Sequence, residues 1–436
     1  MIKQMLKIAI PLALAELGWM AMSVVDNIMV GRLPDPAAAI GSASVGSALF
    51  YSLAIFGIGI MSGLDPIISK AFGAGDWGAA RGSMASGLVL SGLVSVPLMA
   101  VIVAAEPVLG WIGVRSPVRE HAIEFSRVLM WSLPLLLVQS VFRRYLQGIH
   151  QVKPIAFAIV SANFVNLAGN WLLIYGNLGA PALGIRGSAL STVIARTWLC
   201  FVMAMAVRLK DPEAFRRMQP SRARLLELWR LGVPAGVTIG LEVAVFNCST
   251  AVAGRLDAAS LAAHTIALNA AAVTYMVPLG VGSAAAVSVG KALGEKDPAR
   301  AARAGWTAIG IVVAFEICSA LMFVAIPGAI ARVYTVDPAV ISAAVGLFAI
   351  AAAFQVFDGL QTVATGALRG LGNTTTPVAW NLFGYWVVGL PFGIWLCFAR
   401  GWGVRGIWIG LCLALGLVAA GLVDAWRRNS ARAVTG

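Results

Sequence analysis

The 436-residue chain is 59% hydrophobic and 12% charged, where soluble domains average about 25% charged residues. This excludes a soluble domain and points to a bilayer. A formal net charge of +13 would elsewhere suggest nucleic acid; in so apolar a chain, membrane topology and anionic lipid account for it, and no nucleic-acid partner is expected.

Taken in chain order, apolar runs of about 20 residues predict spans near 8–30, 39–69, 82–105, 120–142, 154–176 and 187–207. Six more follow near 231–253, 260–290, 304–327, 339–367, 376–399 and 403–426. The expected fold is an all-α membrane protein with twelve transmembrane helices in two pseudo-symmetric six-helix lobes. The second span of each lobe is long enough to tilt or to project beyond the bilayer. Lys3 and Lys7 before an apolar run, with Ala13-Leu14-Ala15 after them, also fit a cleaved leader. Its removal would delete the counterpart of the seventh span, so it is read as a retained helix.

The two halves repeat one another. Pro11, Gly31-Arg32-Leu33 and Lys70-Ala71-Phe72-Gly73 return as Pro234, Gly254-Arg255-Leu256 and Lys291-Ala292-Leu293-Gly294. The segment 143–154, running on to Gly184-Ile185-Arg186-Gly187, returns as 365–377 running on to Gly403-Val404-Arg405-Gly406, with offsets between 219 and 223 residues. A duplicated helix bundle facing itself across a central cleft is the plan of many secondary transporters. The expected domains are an N-terminal lobe over 1–207, a linker over 208–230 and a C-terminal lobe over 231–436.

Basic residues set the orientation, because Lys and Arg accumulate in cytoplasmic loops. With a cytoplasmic N-terminus, 22 of the 32 Lys and Arg fall on that side and 9 on the other, with Arg196 inside a span. Both termini and the linker, which carries Arg208, Lys210, Arg216, Arg217, Arg222, Arg224 and Arg230, are therefore expected in the cytoplasm. The linker has room for a short amphipathic helix on the lipid surface. Cys200, Cys248, Cys318, Cys397 and Cys412 each stand alone in an apolar span, so neither a disulfide nor a metal site is expected.

Acids within spans are functional candidates by default, since a charge at mid-bilayer costs about 2.5–3.5 kcal/mol on insertion scales. The candidates are Glu16, Asp26, Asp65, Glu242, Glu316 and Asp358. Asp26 shares a helical face with Ser23 and Asn27, and Asn163, Asn166 and Asn170 share a face of the fifth helix. An aspartate and several amides supply the oxygens that a hard monovalent cation or a bound proton requires. The plainer readings are an interfacial acid in water and amides that bridge helices. In the second half, Glu242 follows Thr238 by one turn, and Asp358 sits mid-helix on a stripe of Gln355, Gln361, Thr362 and Thr365. So polar a stripe faces a cavity or another helix, where desolvation poises a carboxyl to exchange a proton; hydrogen bonding within the bundle is the alternative. Asp65, before Pro66 and near Lys70, reads as a cap or gate contact. Glu16, about 80° around the first helix from Asp26, lines the cleft or pairs with a basic group. Glu316 is left unassigned, and His264 and Arg196 read as packing or cavity-lining groups.

These residues resemble the multidrug and toxic compound extrusion (MATE) transporters over nearly the whole chain. The resemblance rests on Val25-Asp26-Asn27-Ile28-Met29-Val30-Gly31, Glu242 after Pro234, Ala262-Ala263-His264, and Phe354-Gln355-Val356-Phe357-Asp358-Gly359 continuing to Gly366-Ala367-Leu368-Arg369-Gly370. Carrying both Glu242 and Asp358 resembles the NorM-type branch; Asn170 stands where DinF-type members place an aspartate. The resemblance implies an antiporter, not an enzyme: Na⁺ or H⁺ enters while an amphipathic, often cationic organic compound leaves by alternating access. It implies cation binding at Asp26, Asn166, Asn170 and Thr192, and coupling and substrate binding at Glu242 and Asp358; Gln355, Gln361 and Thr362 are the expected cavity-lining polar groups. No cofactor beyond the coupling ion is expected, and one negative charge among neutral oxygens favours Na⁺ over H⁺. The expected setting is a monomer in the lipid of a bacterial-type inner membrane. Two rivals are a lipid-linked oligosaccharide flippase, which would call for a more cationic cavity, and a membrane enzyme. His121, His150 and His264 stand beside no plausible nucleophile or metal partner for the latter.

Overall fold

The computed structural model describes residues 1–33, 36–105, 107 and 118–435, without the side chains of 36–40 and 118. The first half forms α1 (Ile2–Val30), α2 (Pro36–Met61), α3 (Leu64–Gly73), α4 (Trp77–Val103), α5 (Val118–Leu129), α6 (Ser132–Gly148), α7 (Lys153–Tyr175) and α8 (Ile185–Lys210). The second forms α9 (Arg222–Ala253), α10 (Ala258–Gly294), α11 (Pro298–Ala325), α12 (Pro327–Tyr334), α13 (Pro338–Gly370), α14 (Thr375–Asn381), α15 (Leu390–Phe398) and α16 (Gly403–Thr435). Among the described residues, eleven helical stretches are long and apolar enough to cross a bilayer, and α5 with α6 makes a twelfth. The all-α, twelve-span fold is the one expected from the sequence.

Besides the second, which breaks between α2 and α3, two of the described spans depart from a regular helix. The fourth, read from the sequence as one run, is bent by 46° where α5 meets α6. Pro134 has no N–H to offer the carbonyl of Met130, which accepts from Leu133 N at 2.9 Å instead, and the Ser132 hydroxyl donates to Leu129 O at 2.6 Å. The eleventh passes through wide π-helical turns over Leu382–Gly389 between α14 and α15. The second span of each half is long as expected: Gly41–Gly73 covers 33 residues and α10 covers 37.

The chain divides into two compact units, one of Met1–Leu14 with Val237–Gly436 and the other of Ala15–Gly236. The divisions fall inside α1 and α9, whereas the sequence places a linker at 208–230. Arg222–Arg230 are the opening turns of α9, leaving 211–221 as the stretch outside the two long helices. Close backbone packing explains the memberships. In the first unit Gly280 lies against Ala13; in the second, Gly232 lies against Ile60 and Gly236 against Phe56. A Cβ at any of these glycines would meet backbone that cannot yield, the small-residue device that lets membrane helices approach.

In the first unit α10 and α13 are the central pair, flanked by α11 and α16. Gly366 meets the carbonyl of Gly282, and Gly389 and Gly393 meet Gly410 of α16. In the second unit the start of the connector is pinned. Arg81 of α4 grips Asp211 through Nε at 2.8 Å and Nη2 at 2.6 Å, and Tyr145 of α6 donates to Asp211 Oδ2 at 2.5 Å. Glu213 adds an ion pair to Arg81 at 2.7 Å.

Candidate functional site

Two polar clusters stand inside the bundles, one in each unit. In the Ala15–Gly236 unit, three helices contribute. Asn170 Nδ2 on α7 donates to Asp26 Oδ1 on α1 at 2.6 Å and lies 3.3 Å from Asn166 Oδ1. The Thr192 hydroxyl on α8 reaches Asp26 Oδ2 at 3.5 Å and its own helix at Ser188 O, 3.1 Å. All four residues of the expected cation set therefore meet. Asn166 and Asn170 are fully buried, and the four-residue step between them on α7 keeps both on one face. Asn166 Nδ2 and Asn170 Oδ1 have no hydrogen-bond partner among the described residues.

Their helix neighbours separate from them. Ser23 and Asn27, which share the Asp26 face by spacing, are exposed. Asn163 donates to Gly18 O at 3.1 Å and Ile159 O at 2.9 Å, so it is a bridge between α7 and α1. One turn beyond Thr192, the fully buried Arg196 donates to Ser132 and to Tyr51 at 2.9 Å. Its guanidinium lies 4.8 Å from the Phe50 ring centroid and 6.0 Å from that of Trp19, a cation–π setting that pays for part of its burial.

In the other unit, Glu242 on α9 and Asp358 on α13 are joined through one amide. Gln361 Nε2 lies 3.2 Å from Glu242 Oε1 and 3.2 Å from Asp358 Oδ1. Tyr275 on α10 donates to Glu242 Oε1 at 3.1 Å and accepts from the Thr362 hydroxyl at 3.3 Å. The stripe read from the sequence on α13 is thus real, but it serves two neighbourhoods. Gln361 and Thr362 belong to the acid cluster. Gln355, a buried residue, accepts from Ser319 of α11 at 2.7 Å and from Thr274 of α10, so it ties three helices together where the sequence suggested a cavity-lining role.

The remaining candidates resolve individually. Glu16 pairs with Arg143 of α6, the basic group that sequence reasoning left unnamed. Asp65, fully buried in the first turn of α3, meets Arg144 at 3.1 Å, and Arg144 also donates to Gln147 Oε1 at 3.2 Å. His264 accepts from Trp408 Nε1 at 3.1 Å and lies 3.0 Å from the Thr250 hydroxyl, a packing role. Tyr275 was not singled out from the sequence: its one signal is a phenol in the middle of an apolar 37-residue helix, which reads equally as packing. A surface cleft of about 490 Å³ beside α5 shares no residue with either cluster, and Glu124 and Arg186 in its lining pair with each other.

The MatE family model matches residues 11–172 and again residues 234–395, one copy in each half of the sequence. A probable multidrug resistance protein NorM of Mesorhizobium japonicum is 37% identical over 443 residues, covering 98% of this chain and 94% of the relative. A multidrug resistance protein NorM of Burkholderia vietnamiensis is 37% identical over 432 residues, covering 97% and 92%. The crystal structure of the eukaryotic MATE transporter AtDTX14 superposes with a TM-score of 0.89 at 22% identity, covering 99% of this chain and 97% of that one, a likeness of fold. With one family model matching both halves and relatives of this identity over nearly its full length, the chain belongs to the MatE family of membrane transporters, in its NorM-type branch.

Proposed function

We propose that the protein is a secondary active antiporter that exports organic, often cationic and amphipathic compounds in exchange for Na⁺ or H⁺ across a bacterial-type inner membrane. The observation that carries this reading is the Glu242–Gln361–Asp358 cluster, two carboxyls from separate helices held on one amide inside an apolar bundle. Acids so placed can be neutralised in turn by a proton or by an organic cation, but are costly to leave bare. The names of the curated relatives, multidrug resistance proteins, supply the substrate class.

Na⁺ is assigned to the other cluster. Asp26 supplies the charge, and Asn166, Asn170 and Thr192 supply neutral oxygens, of which Asn170 Oδ1 has no partner among the described residues. Such a set suits a dehydrated monovalent cation. Mechanism follows from linkage: ion and drug favour different conformations or compete for the same carboxylates, so each promotes release of the other. The 1–207 and 231–436 lobes would rock about the 208–230 linker, the monomer needing no cofactor beyond its coupling ion. Gln361 and Thr362 would face the substrate cavity.

A Na⁺ jump at constant pH tests this in vesicles preloaded with a fluorescent organic cation. Efflux should follow the jump, and Asp26→Asn should blunt it. Efflux driven by a pH gradient in Na⁺-free buffer, with no further response to Na⁺, would transfer the assignment to protons at Glu242 and Asp358.

A further inference from the structure

Glu316 on α11 belongs to neither cluster. Its side chain is 1% exposed and packs against Gly359, the residue after Asp358 on α13; a Cβ at 359 would overlap it. Its Oε2 has no hydrogen-bond partner among the described residues, and neither has Nε2 of Gln355, whose Oε1 accepts from Ser319 one turn along α11 from Glu316. The membrane-buried acid thus sits beside room that only a glycine leaves, with an open oxygen.

The helices packed on α11 are α10, α12, α13 and α16. From α13, Asp358 is the titratable group that interacts with Glu316, and Arg369 stands in the last turn of that helix, about three turns beyond Gly359. On α10, Tyr275 is committed to Glu242, His264 to Thr250 and Trp408, and Lys291 lies near Glu295. Arg332 of α12 is exposed. The charges of α16 are at its ends, with Arg405 against Gly346 and Asp424 paired to Arg427 and Arg428. Trp426 fills the space at Gly305, which places that last group beside the opening turns of α11, about three turns from Glu316. Among the described residues, no cation is positioned to neutralise Glu316, and its electrostatic neighbour is another acid. A buried carboxylate so situated is neutralised by a proton in preference to remaining bare.

Resting on the antiport reading above, we propose that Glu316 is a further proton-binding site of this unit, separate from the Glu242–Asp358 pair. The Glu316 carboxylate takes one proton from hydronium, leaving water, to become a neutral acid, and returns that proton to water when it ionises. Occupied, the site removes one of the two acidic charges that α11 and α13 would otherwise bring near one another.

Infrared spectroscopy of the full-length protein in lipid discs tests this, because protonated carboxyls give a resolved C=O stretch. At neutral pH, Glu316→Gln should remove one carboxyl's intensity from that band, and Glu316→Asp should restore it at a shifted frequency. In Asp358→Asn, the pH range over which the Glu316 band disappears should move. An unchanged band in Glu316→Gln, or an identical titration in Asp358→Asn, overturns the proposal. Should Glu316→Gln not fold, the frequency shift of Glu316→Asp reads the same band. Tetraphenylphosphonium efflux from vesicles is scored separately: its absence in the parent protein with the band behaving as described would reject the antiport reading and leave the proton site standing.

Discussion

Asp358 and Glu242 accept from the same amide, so neutralising either one preserves the shape of the cluster while removing the charge on which exchange would depend. Asp358→Asn is expected to reduce gradient-driven drug efflux to the level of empty vesicles, with normal insertion and elution on size exclusion. Glu242→Gln should act in the same direction and less completely. Near-parental transport by the folded Asp358→Asn protein would remove the residue from the mechanism. These acids, with Asp26, Asn166 and Asn170, are legible in the sequence because a polar group in an apolar span stands out against its neighbours, and helical spacing then says which ones share a face. Their partners are not legible in the same way. Tyr275 looks like packing until Glu242 is placed beside it, and Arg143 and Arg144 look like loop charges until Glu16 and Asp65 meet them.

Among the elements, the junction of α8 with the connector is held by charge. The Asp211 carboxyl lies below the usual carboxylate range: burial alone would raise it, but the hydrogen bonds from Arg81 and Tyr145, with the Arg81 charge, outweigh that. A group lowered in the folded state contributes stability above its unfolded value, near 3.9, and loses it as pH falls through the folded one. The thermal unfolding midpoint of the purified protein should therefore drop as the solution is acidified below about pH 4. Asp211→Asn should be less stable at neutral pH, by about 3 kcal/mol if breaking one partner of a buried pair sets the scale, and should lose part of the acid-dependent drop. An equal acid response in both proteins would show that the clamp contributes nothing to stability. The number and order of the spans were readable from apolar run length, but the charged ends that extend α1, α9 and α16, the bend between α5 and α6 and the π-helical turns before α15 were not. Both depend on where backbone carbonyls find donors, which hydropathy does not record.

For the whole molecule, the asymmetry of basic residues predicts cytoplasmic termini and a cytoplasmic connector. Arg217 and Ala258 are both exposed, and labelling Ala258→Cys spares the Asp257 side chain, which caps α10 by accepting from Ser260 N at 2.9 Å. An impermeant thiol reagent applied to intact cells should label Ala258→Cys and leave Arg217→Cys protected until the membrane is opened; the reverse pattern would invert the topology. The sequence by itself determined the bilayer setting, the twelve spans, the duplication and the polar residues to watch, because each follows from composition, run length or spacing along one chain. Only the tertiary structure decided which of those residues meet. It brought four of them together around Asp26, joined Glu242 to Asp358 through Gln361, diverted Gln355 to Ser319 and Thr274, and set Glu316 against Gly359. It also drew the unit divisions inside α1 and α9, where glycine contacts bring backbones together. The reason is physical: helical periodicity fixes a residue's direction on its own helix, whereas the partner it finds depends on the packing of helices far apart in sequence.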